Sequence, residues 1–268
     1  MPFVQSSGAK IHWDSQGEGP PVLLIMGHLY SSKMWYPLLP ELTKTHRAIW
    51  FDNRGTGESD TTSGVTVEQL TADALAVLDA AGVDKAHVYG VSMGGGIAAE
   101  FAMRYPERTL SVTLGCTMLK TEGIAFAGAQ KLIYNLPRWL VRAMFKRTKP
   151  ENYGTNAPRD AALHDIKILG QDRFTMKGVR EQAKAIAAYA TTRERAVATI
   201  TMPVLVLHGD EDTAVPVEKG RELHALLPHS KYVEFKGAGH NYLVANNAGS
   251  TTAFLDFIDG VDRGQGGE

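Results

Sequence analysis

The sequence lacks the features that mark a secreted, membrane-spanning or nucleic-acid-binding protein. It has a single cysteine, Cys116, so an intrachain disulfide is excluded. No stretch approaches the roughly 18 uninterrupted apolar residues of a membrane-spanning helix, and the first residues lack the basic start and apolar run of a secretory leader. The 28 Lys and Arg residues nearly balance the 29 Asp and Glu residues, which gives no indication of a nucleic-acid partner. Together these features predict a soluble cytoplasmic protein without a membrane span.

Short apolar runs alternate with amphipathic segments along most of the chain. The runs predict strands at 22–26, 46–51, 86–91, 111–115, 204–209 and 231–235. Between them, segment 67–81 has helical periodicity, with Thr66 and Gln69 as its predicted capping box. Strand–helix alternation of this kind is typical of a doubly wound, mostly parallel α/β sheet. Segments 2–6 and 10–15 are short and alternate in polarity, so we expect them to form an antiparallel edge hairpin.

The alternation stops between residues 119 and 192, after the sixth predicted strand. This region is helical by composition and includes the stretch KLIYNLPRWLVRAMFKR at 131–147. We interpret it as a helical cap over one end of a single sheet, because the α/β pattern resumes at residue 202 and needs both halves of the chain. A minority of the apolar cap residues is expected to line a pocket. The predicted units are a core of 1–118 and 193–262, a cap of 119–192, and a flexible tail of 263–268.

One serine lies in the tightest predicted turn of the chain. Residues Gly90-Val91-Ser92-Met93-Gly94 have the spacing G-x-S-x-G, directly after a predicted strand and at the start of a helical pattern. This is the context expected of a nucleophile elbow. Small neighbours permit strained backbone at Ser92, and the N–H groups that follow it face outward at a helix start, which favours negative charge. The alternative is a tight glycine turn with an incidental serine.

A nucleophilic serine also requires a base to take its proton and a carboxylate to orient that base. His240 lies in the glycine-rich loop FKGAGHNYL after a predicted strand, where doubly wound sheets place their sites. Asp210, Glu211 and Asp212 follow another predicted strand, in HGDEDTAVP. The order serine, acid, histidine along the chain is the one expected for this type of fold. We interpret the other histidines outside the LLIMGH stretch, His208 among them, as surface or structural residues.

Taken together, these segments resemble the α/β-hydrolase superfamily over essentially the whole chain. The segments that carry the resemblance are LLIMGH, DNRGTGESD, GVSMGG, VLHGDEDTAVP and GAGHN. The resemblance implies an α/β-hydrolase fold with a helical cap, Ser92 as nucleophile and His240 as base. It places the acid at the fourth position of G-x-x-D, which is Asp212, with Asp210 as the alternative.

The same resemblance implies an oxyanion hole formed by the backbone N–H groups of His28 and Met93. Relatives usually carry His-Gly before the first donor, whereas this chain has Met26 in the place of that histidine. The donor is main chain, so the hole remains feasible, but a hydrogen bond from the missing imidazole to the loop is not available. The segment DNRGTGESD lacks the lysine and the spacing of a P-loop. Its Asp52 and Arg54 are expected to brace backbone beside the site.

We therefore expect a serine hydrolase that cleaves a small to medium, mainly apolar ester or lactone through an acyl-enzyme on Ser92. Three alternatives use the same fold: a carbon–carbon bond hydrolase of ring-cleavage products, a cofactor-free perhydrolase, and a ligand-binding receptor with slow or no turnover. No dinucleotide fingerprint and no metal-ligand spacing such as H-E-x-x-H occur in the sequence, so neither a cofactor nor a metal is expected. The expected partner is the small-molecule substrate alone, and the oligomeric state is left open.

Overall fold

The fold is built on one twisted sheet. In this computed structural model the described residues are 2–118, Leu140, 152–189 and 196–265. The strands are β1 (Phe3–Ser6), β2 (Ala9–Gln16), β3 (Pro21–Ile25), β4 (Arg47–Phe51), β5 (Ala86–Val91), β6 (Thr109–Gly115), β7 (Val204–Gly209) and β8 (Lys231–Phe235). Their order across the sheet is β1-β2-β4-β3-β5-β6-β7-β8. The first two pairings, β1–β2 and β2–β4, are antiparallel, and the remaining pairings are parallel. The predicted edge hairpin and mostly parallel sheet are confirmed.

The helices pack on both faces of this sheet. They are α1 (Leu39–Leu42), α2 (Val67–Ala80), α3 (Met93–Arg104), α4 (Arg159–Gln171), α5 (Met176–Tyr189), α6 (Val217–Leu226), α7 (Tyr242–Ala245) and α8 (Asn247–Asp262), with short 3₁₀ turns at Ser32–Trp35, Pro106–Arg108 and Val197–Thr199. The predicted cap of α2 forms, since the Thr66 hydroxyl accepts the Gln69 N–H at 3.2 Å. All residues of β5 and β7 are buried, because helices cover both faces of the parallel strands.

Helices α4 and α5 lie between β6 and β7 in the chain, and we call them the cap helices. Their position after the sixth strand agrees with the predicted insertion. Helix α5 is joined to the core by the Tyr189 hydroxyl, which donates to Glu100 Oε2 at 3.2 Å. The predicted cap stretch 131–147 lies outside the described residues except for Leu140, and so do the last three residues of the predicted tail. The division into core, cap and tail therefore stays a prediction.

The topology brings four loops to one edge of the sheet. Strands β3, β5, β7 and β8 are parallel, so their carboxyl ends lie on the same side. The residues that follow these ends include Met26–Leu29, Ser92, Asp210–Asp212 and His240. Open α/β sheets bind ligands at this edge. The fold thus brings the predicted nucleophile, base, acid and first oxyanion donor to one edge of the sheet.

Candidate active site

The turn at Ser92 has the strained geometry of a nucleophile elbow. Ser92 joins β5 to α3 with φ 57° and ψ −120°, in the left-handed half of conformational space that side chains usually avoid. Its N–H donates to the carbonyl of Gly115 at 2.8 Å, which fixes the turn to the neighbouring strand. A methyl group on Gly90 would lie 1.9 Å from the Gly94 oxygen, and one on Gly94 would lie 2.0 Å from the Ile25 oxygen. The motif therefore needs glycine at both ends for this turn to form.

Asp212 and His240 form a buried hydrogen-bonded pair. His240 Nδ1 lies 2.7 Å from Asp212 Oδ2. The other carboxylate oxygen, Oδ1, accepts the N–H groups of Ala214 and Val215, each at 2.8 Å. The Asp212 side chain is wholly buried, while 16% of the His240 side chain is exposed. This arrangement holds the imidazole by Nδ1, and His240 lines the cavity beside Ser92.

The surroundings shift the pKa values of Asp212 and His240 in the directions that favour their charged forms. Burial opposes ionisation of Asp212, but the charge of His240, hydrogen bonds from His208 and His240 and the Val215 N–H together hold its pKa below the ordinary value. Burial also lowers the pKa of His240, yet its anionic neighbours raise it well above 6.5. Cys116 would be one such neighbour as a thiolate, but burial raises the pKa of its thiol and keeps it neutral. Asp212 is therefore the anion that stabilises the imidazolium.

The two acids beside Asp212 have other partners. Asp210 Oδ1 accepts the Gly237 N–H at 2.6 Å. Glu211 binds the N–H and the hydroxyl of Thr155, each at 2.7 Å. Among the three acids of the loop, only Asp212 contacts the imidazole. The geometry thus favours Asp212 over Asp210 in the role of acid.

The loop with the predicted oxyanion donor lies beside the serine. A methyl group on Gly27 would lie 3.1 Å from Ser92 Cβ and 3.7 Å from Ser92 Oγ. The next residue, His28, therefore follows a backbone segment in contact with the nucleophile. Met93, the other predicted donor, is the first residue of α3. Its N–H has no hydrogen bond in the described part of the chain, as is usual for a first-turn N–H group.

Asp52 and Arg54 brace backbone as predicted. Asp52 accepts the N–H groups of Ser32 and Glu58, at 2.9 and 3.0 Å. Arg54 donates to the Ser6 carbonyl at 2.7 Å. These contacts fix the DNRGTGESD loop beside the oxyanion loop, because Asn53 between them also donates to the Met26 carbonyl at 2.8 Å.

Ser92 and His240 line one cavity of about 50 Å³. The described residues around it are Met26, Gly27, His28, Tyr30, Met34, Val91, Ser92, Asp165, His240, Asn241, Leu243 and Val244. No hydrogen bond joins Ser92 Oγ to the His240 imidazole or to another residue in the described part of the chain. Such contacts are often long in ligand-free enzymes and shorten when substrate binds.

A buried carboxyl outside the predicted site also lines this cavity. Asp165 of α4 is fully buried and accepts the hydroxyls of Tyr36 and Tyr153, at 3.0 and 2.7 Å. Burial raises its pKa, and the two phenols oppose that shift. A signal was present in the sequence, because Asp165 shares the apolar face of α4 with Ala162 and Leu169. An acid on such a face needs partners that only the tertiary structure supplies.

One cluster has atoms that could ligate a metal. A sulfur of Cys116, a carboxylate oxygen of Asp212 and an imidazole nitrogen of His240 lie within 4.8 Å of one another, and no other described trio does so. Metal binding requires the thiolate, whereas burial raises the pKa of Cys116. A cation would also have to replace the hydrogen bond between Asp212 and His240. The cluster is suited to proton transfer rather than to metal binding.

One family of known proteins matches most of the chain. The family model described as the alpha/beta hydrolase fold matches residues 20–245. The chain belongs to this family. The predicted α/β-hydrolase enzyme is thereby confirmed at the level of the family. Within the described residues, no helix combines the length and apolarity needed to cross a membrane.

Several members of the family are similar along their whole length. A Mycobacterium tuberculosis protein provisionally named non-heme bromoperoxidase BpoC is 30% identical over 260 residues, covering 94% of this chain and 98% of its own. The pimeloyl-[acyl-carrier protein] methyl ester esterase of Photobacterium profundum is 28% identical over 92% of this chain and 97% of its own. The enol-lactonase structure from Burkholderia xenovorans LB400 is 26% identical, covers 96% of this chain and 100% of its own, and superposes with a TM-score of 0.77.

Proposed function

We propose that this α/β-hydrolase is a serine hydrolase that cleaves a small to medium, mainly apolar carboxylic ester or lactone. The observation that carries the proposal is the strained turn that presents Ser92 to a cavity which His240 also lines. Nδ1 of the same histidine is hydrogen-bonded to Asp212 at 2.7 Å. A serine, an imidazole and a buried carboxylate in this order are the groups that acyl transfer requires. An esterase and a lactonase among the similar proteins support the same class of substrate.

The proposed reaction passes through an acyl-enzyme. Ser92 Oγ attacks the substrate carbonyl carbon while His240 Nε2 accepts the hydroxyl proton, and Asp212 stabilises the imidazolium. The carbonyl oxygen becomes an oxyanion that accepts the backbone N–H groups of His28 and Met93. The carbon–oxygen bond of the ester then breaks, and His240 returns the proton to the leaving alcohol. Water, activated by His240, hydrolyses the acyl–Ser92 bond and releases the acid.

The cavity suggests the size and polarity of the acyl group. Its apolar lining comes from Met26, Met34, Val91, Leu243 and Val244. A cavity of about 50 Å³ among the described residues has room for only a few water-sized groups. We therefore propose a short acyl chain or a small ring as the preferred acyl group.

The decisive experiment compares p-nitrophenyl esters of increasing acyl length. Wild type should release p-nitrophenol most rapidly from the short esters. The variant Ser92→Ala should lose on the order of a million-fold in turnover, if the loss matches that of the subtilisin serine. Ser63→Ala is the matched control, because Ser63 is exposed and distant in sequence from the motif. A folded Ser92→Ala protein that retains most of the activity would contradict the mechanism.

A second candidate, a cofactor-free perhydrolase, is favoured by one observation, the 30% identity to the bromoperoxidase-named relative. In this reaction hydrogen peroxide takes the place of water and attacks the carbonyl carbon of the acyl-enzyme. The bond to Ser92 Oγ breaks, and the acyl group is released as a peroxyacid. The peroxyacid then oxidises bromide to hypobromous acid and becomes the carboxylate. Bromination of an added acceptor that needs acetate, peroxide, bromide and Ser92 together would assign this activity. If no such bromination occurs, the perhydrolase candidate is rejected and ester or lactone hydrolysis is the remaining proposal.

A further inference from the structure

Cap helix α5 holds the loop that carries the oxyanion donor. The imidazole of His28 donates from Nε2 to the Val179 carbonyl at 2.9 Å, since a carbonyl can only accept. The N–H of Leu29 donates to the Gln182 side-chain oxygen at 3.1 Å. Val179 and Gln182 lie one turn apart on α5, so two successive loop residues are bound to one face of one helix.

Leu29 is held in an unfavourable backbone conformation. Its φ of 79° lies in the left-handed region, which costs a side-chain-bearing residue free energy and persists only where the surroundings impose it. The surroundings come from the cap: the Leu29 side chain packs on Phe174 and Val179, and its N–H binds Gln182. The Leu29 N–H belongs to the peptide group that begins at the His28 carbonyl, so its bond to Gln182 fixes the backbone one peptide beyond the predicted His28 donor.

Gln182 is itself anchored to the core. It is fully buried, and its Nε2 donates to the Arg54 carbonyl at 2.8 Å. The Arg54 guanidinium is fixed in turn by two bonds to Asp73, at 2.6 and 2.7 Å. The amide of Gln182 therefore connects the Leu29 N–H to a part of the core that is independently rigid.

We propose that Gln182 is a positioning residue for the oxyanion hole, which makes catalysis depend on how α5 is seated. This inference rests on the proposed acyl-transfer function. A donor stabilises the oxyanion only if it lies about 3 Å from the oxygen in the transition state. In this loop Met26 occupies the position where relatives have a histidine. Gln182 therefore stabilises the loop from cap helix α5, whereas in relatives the histidine would do so from within the loop.

The test replaces the Gln182 amide while keeping its shape. Gln182→Met has nearly the same length and no hydrogen-bonding oxygen, so we expect kcat to fall about 10- to 100-fold with KM changed less than about threefold. The split is expected because the oxyanion exists in the transition state and not in bound substrate. Gln182→Glu keeps an oxygen for the Leu29 N–H, and its kcat should lie between those of wild type and Gln182→Met.

Gln171→Met is the matched control, because Gln171 is exposed at the end of the other cap helix. Hydrogen exchange at the Leu29 amide gives a readout that does not depend on activity, and exchange should accelerate in Gln182→Met alone. A folded Gln182→Met protein with wild-type kcat and wild-type protection of Leu29 overturns the proposal. Absence of Ser92-dependent turnover in wild type would instead refute the proposed function. In that case unchanged protection of Leu29 in Gln182→Met still overturns the positioning role.

Discussion

His208 lies 3.3 Å from Asp212, with its Nε2 directed at the same carboxylate oxygen that binds His240. That nitrogen also donates to the Val215 carbonyl at 2.9 Å, so Nε2 carries the proton. The other nitrogen, Nδ1, has no hydrogen-bond partner in the described residues and packs against Gly220. The ring therefore contributes a hydrogen-bond donor to Asp212.

We expect His208→Leu to weaken both folding and turnover. The change removes a buried donor to an ionised acid, a loss that typically costs about 1.5–3 kcal/mol. The free energy of unfolding, measured by urea denaturation, should fall by about 2 kcal/mol, and kcat should fall because Asp212 is less firmly oriented. His229→Leu, at an exposed site, is the control and should change neither quantity appreciably. A His208→Leu protein with wild-type stability would show that the 3.3 Å contact contributes nothing.

The choice between Asp212 and Asp210 gives a second prediction. Asp212→Asn should reduce kcat on a p-nitrophenyl ester by about 10⁴-fold, as loss of the acid does in the serine protease triad. Asp210→Asn keeps an oxygen that can accept the Gly237 N–H, so we expect less than about a tenfold loss. The paired variants share a loop and a chemical change, which controls for effects on folding. The reverse ranking of the two losses would reassign the acid to Asp210.

The acidic side of the activity profile follows from the raised pKa of His240. The base must be neutral to accept the Ser92 proton, so kcat/KM should rise with pH as His240 loses its own proton. Burial lowers the pKa of His240, whereas the charge and the hydrogen bond of Asp212 raise it, so the midpoint of this rise should lie at higher pH than it would without the Asp212 charge. Asp212→Asn removes the negative charge, and the midpoint of its residual activity should move to lower pH. An unshifted midpoint in that variant would show that Asp212 does not control the charge of His240.

Local patterns in the sequence were sufficient to predict most of the fold. The continuous apolar runs identified the buried parallel strands because both faces of such strands are covered, and β5 and β7 have the predicted bounds. The turn at Ser92 was predictable for a similar reason. Its backbone conformation depends on close contacts of Gly90 and Gly94, which the spacing of the motif records.

Contacts between distant segments were not predictable. The sequence pattern around His208 gives no sign that its imidazole reaches Asp212, and only the fold shows this contact. The support of Leu29 by Gln182 joins residues 153 positions apart, and no local pattern encodes it. Asp165 was missed because its two tyrosine partners come from separate parts of the chain. These polar contacts orient the side chains and loops of the site, whereas the sequence motifs determine only where its reacting groups lie.

Breaking the buried ion pair of Arg54 and Asp73 should destabilise the protein strongly. The guanidinium and the carboxylate form two bonds, and the exposed fractions of the two side chains are 1% and 0%. Asp73→Ala would leave the Arg54 charge buried without its partner, so we expect a loss of about 3–5 kcal/mol in the free energy of unfolding. Asp79→Ala is the control on the same helix, because the Asp79 side chain is 58% exposed in its pair with Arg108 and its loss should cost about 1 kcal/mol or less. Urea denaturation of the two variants measures both quantities, and equal losses would show that burial does not decide the strength of the Arg54 pair.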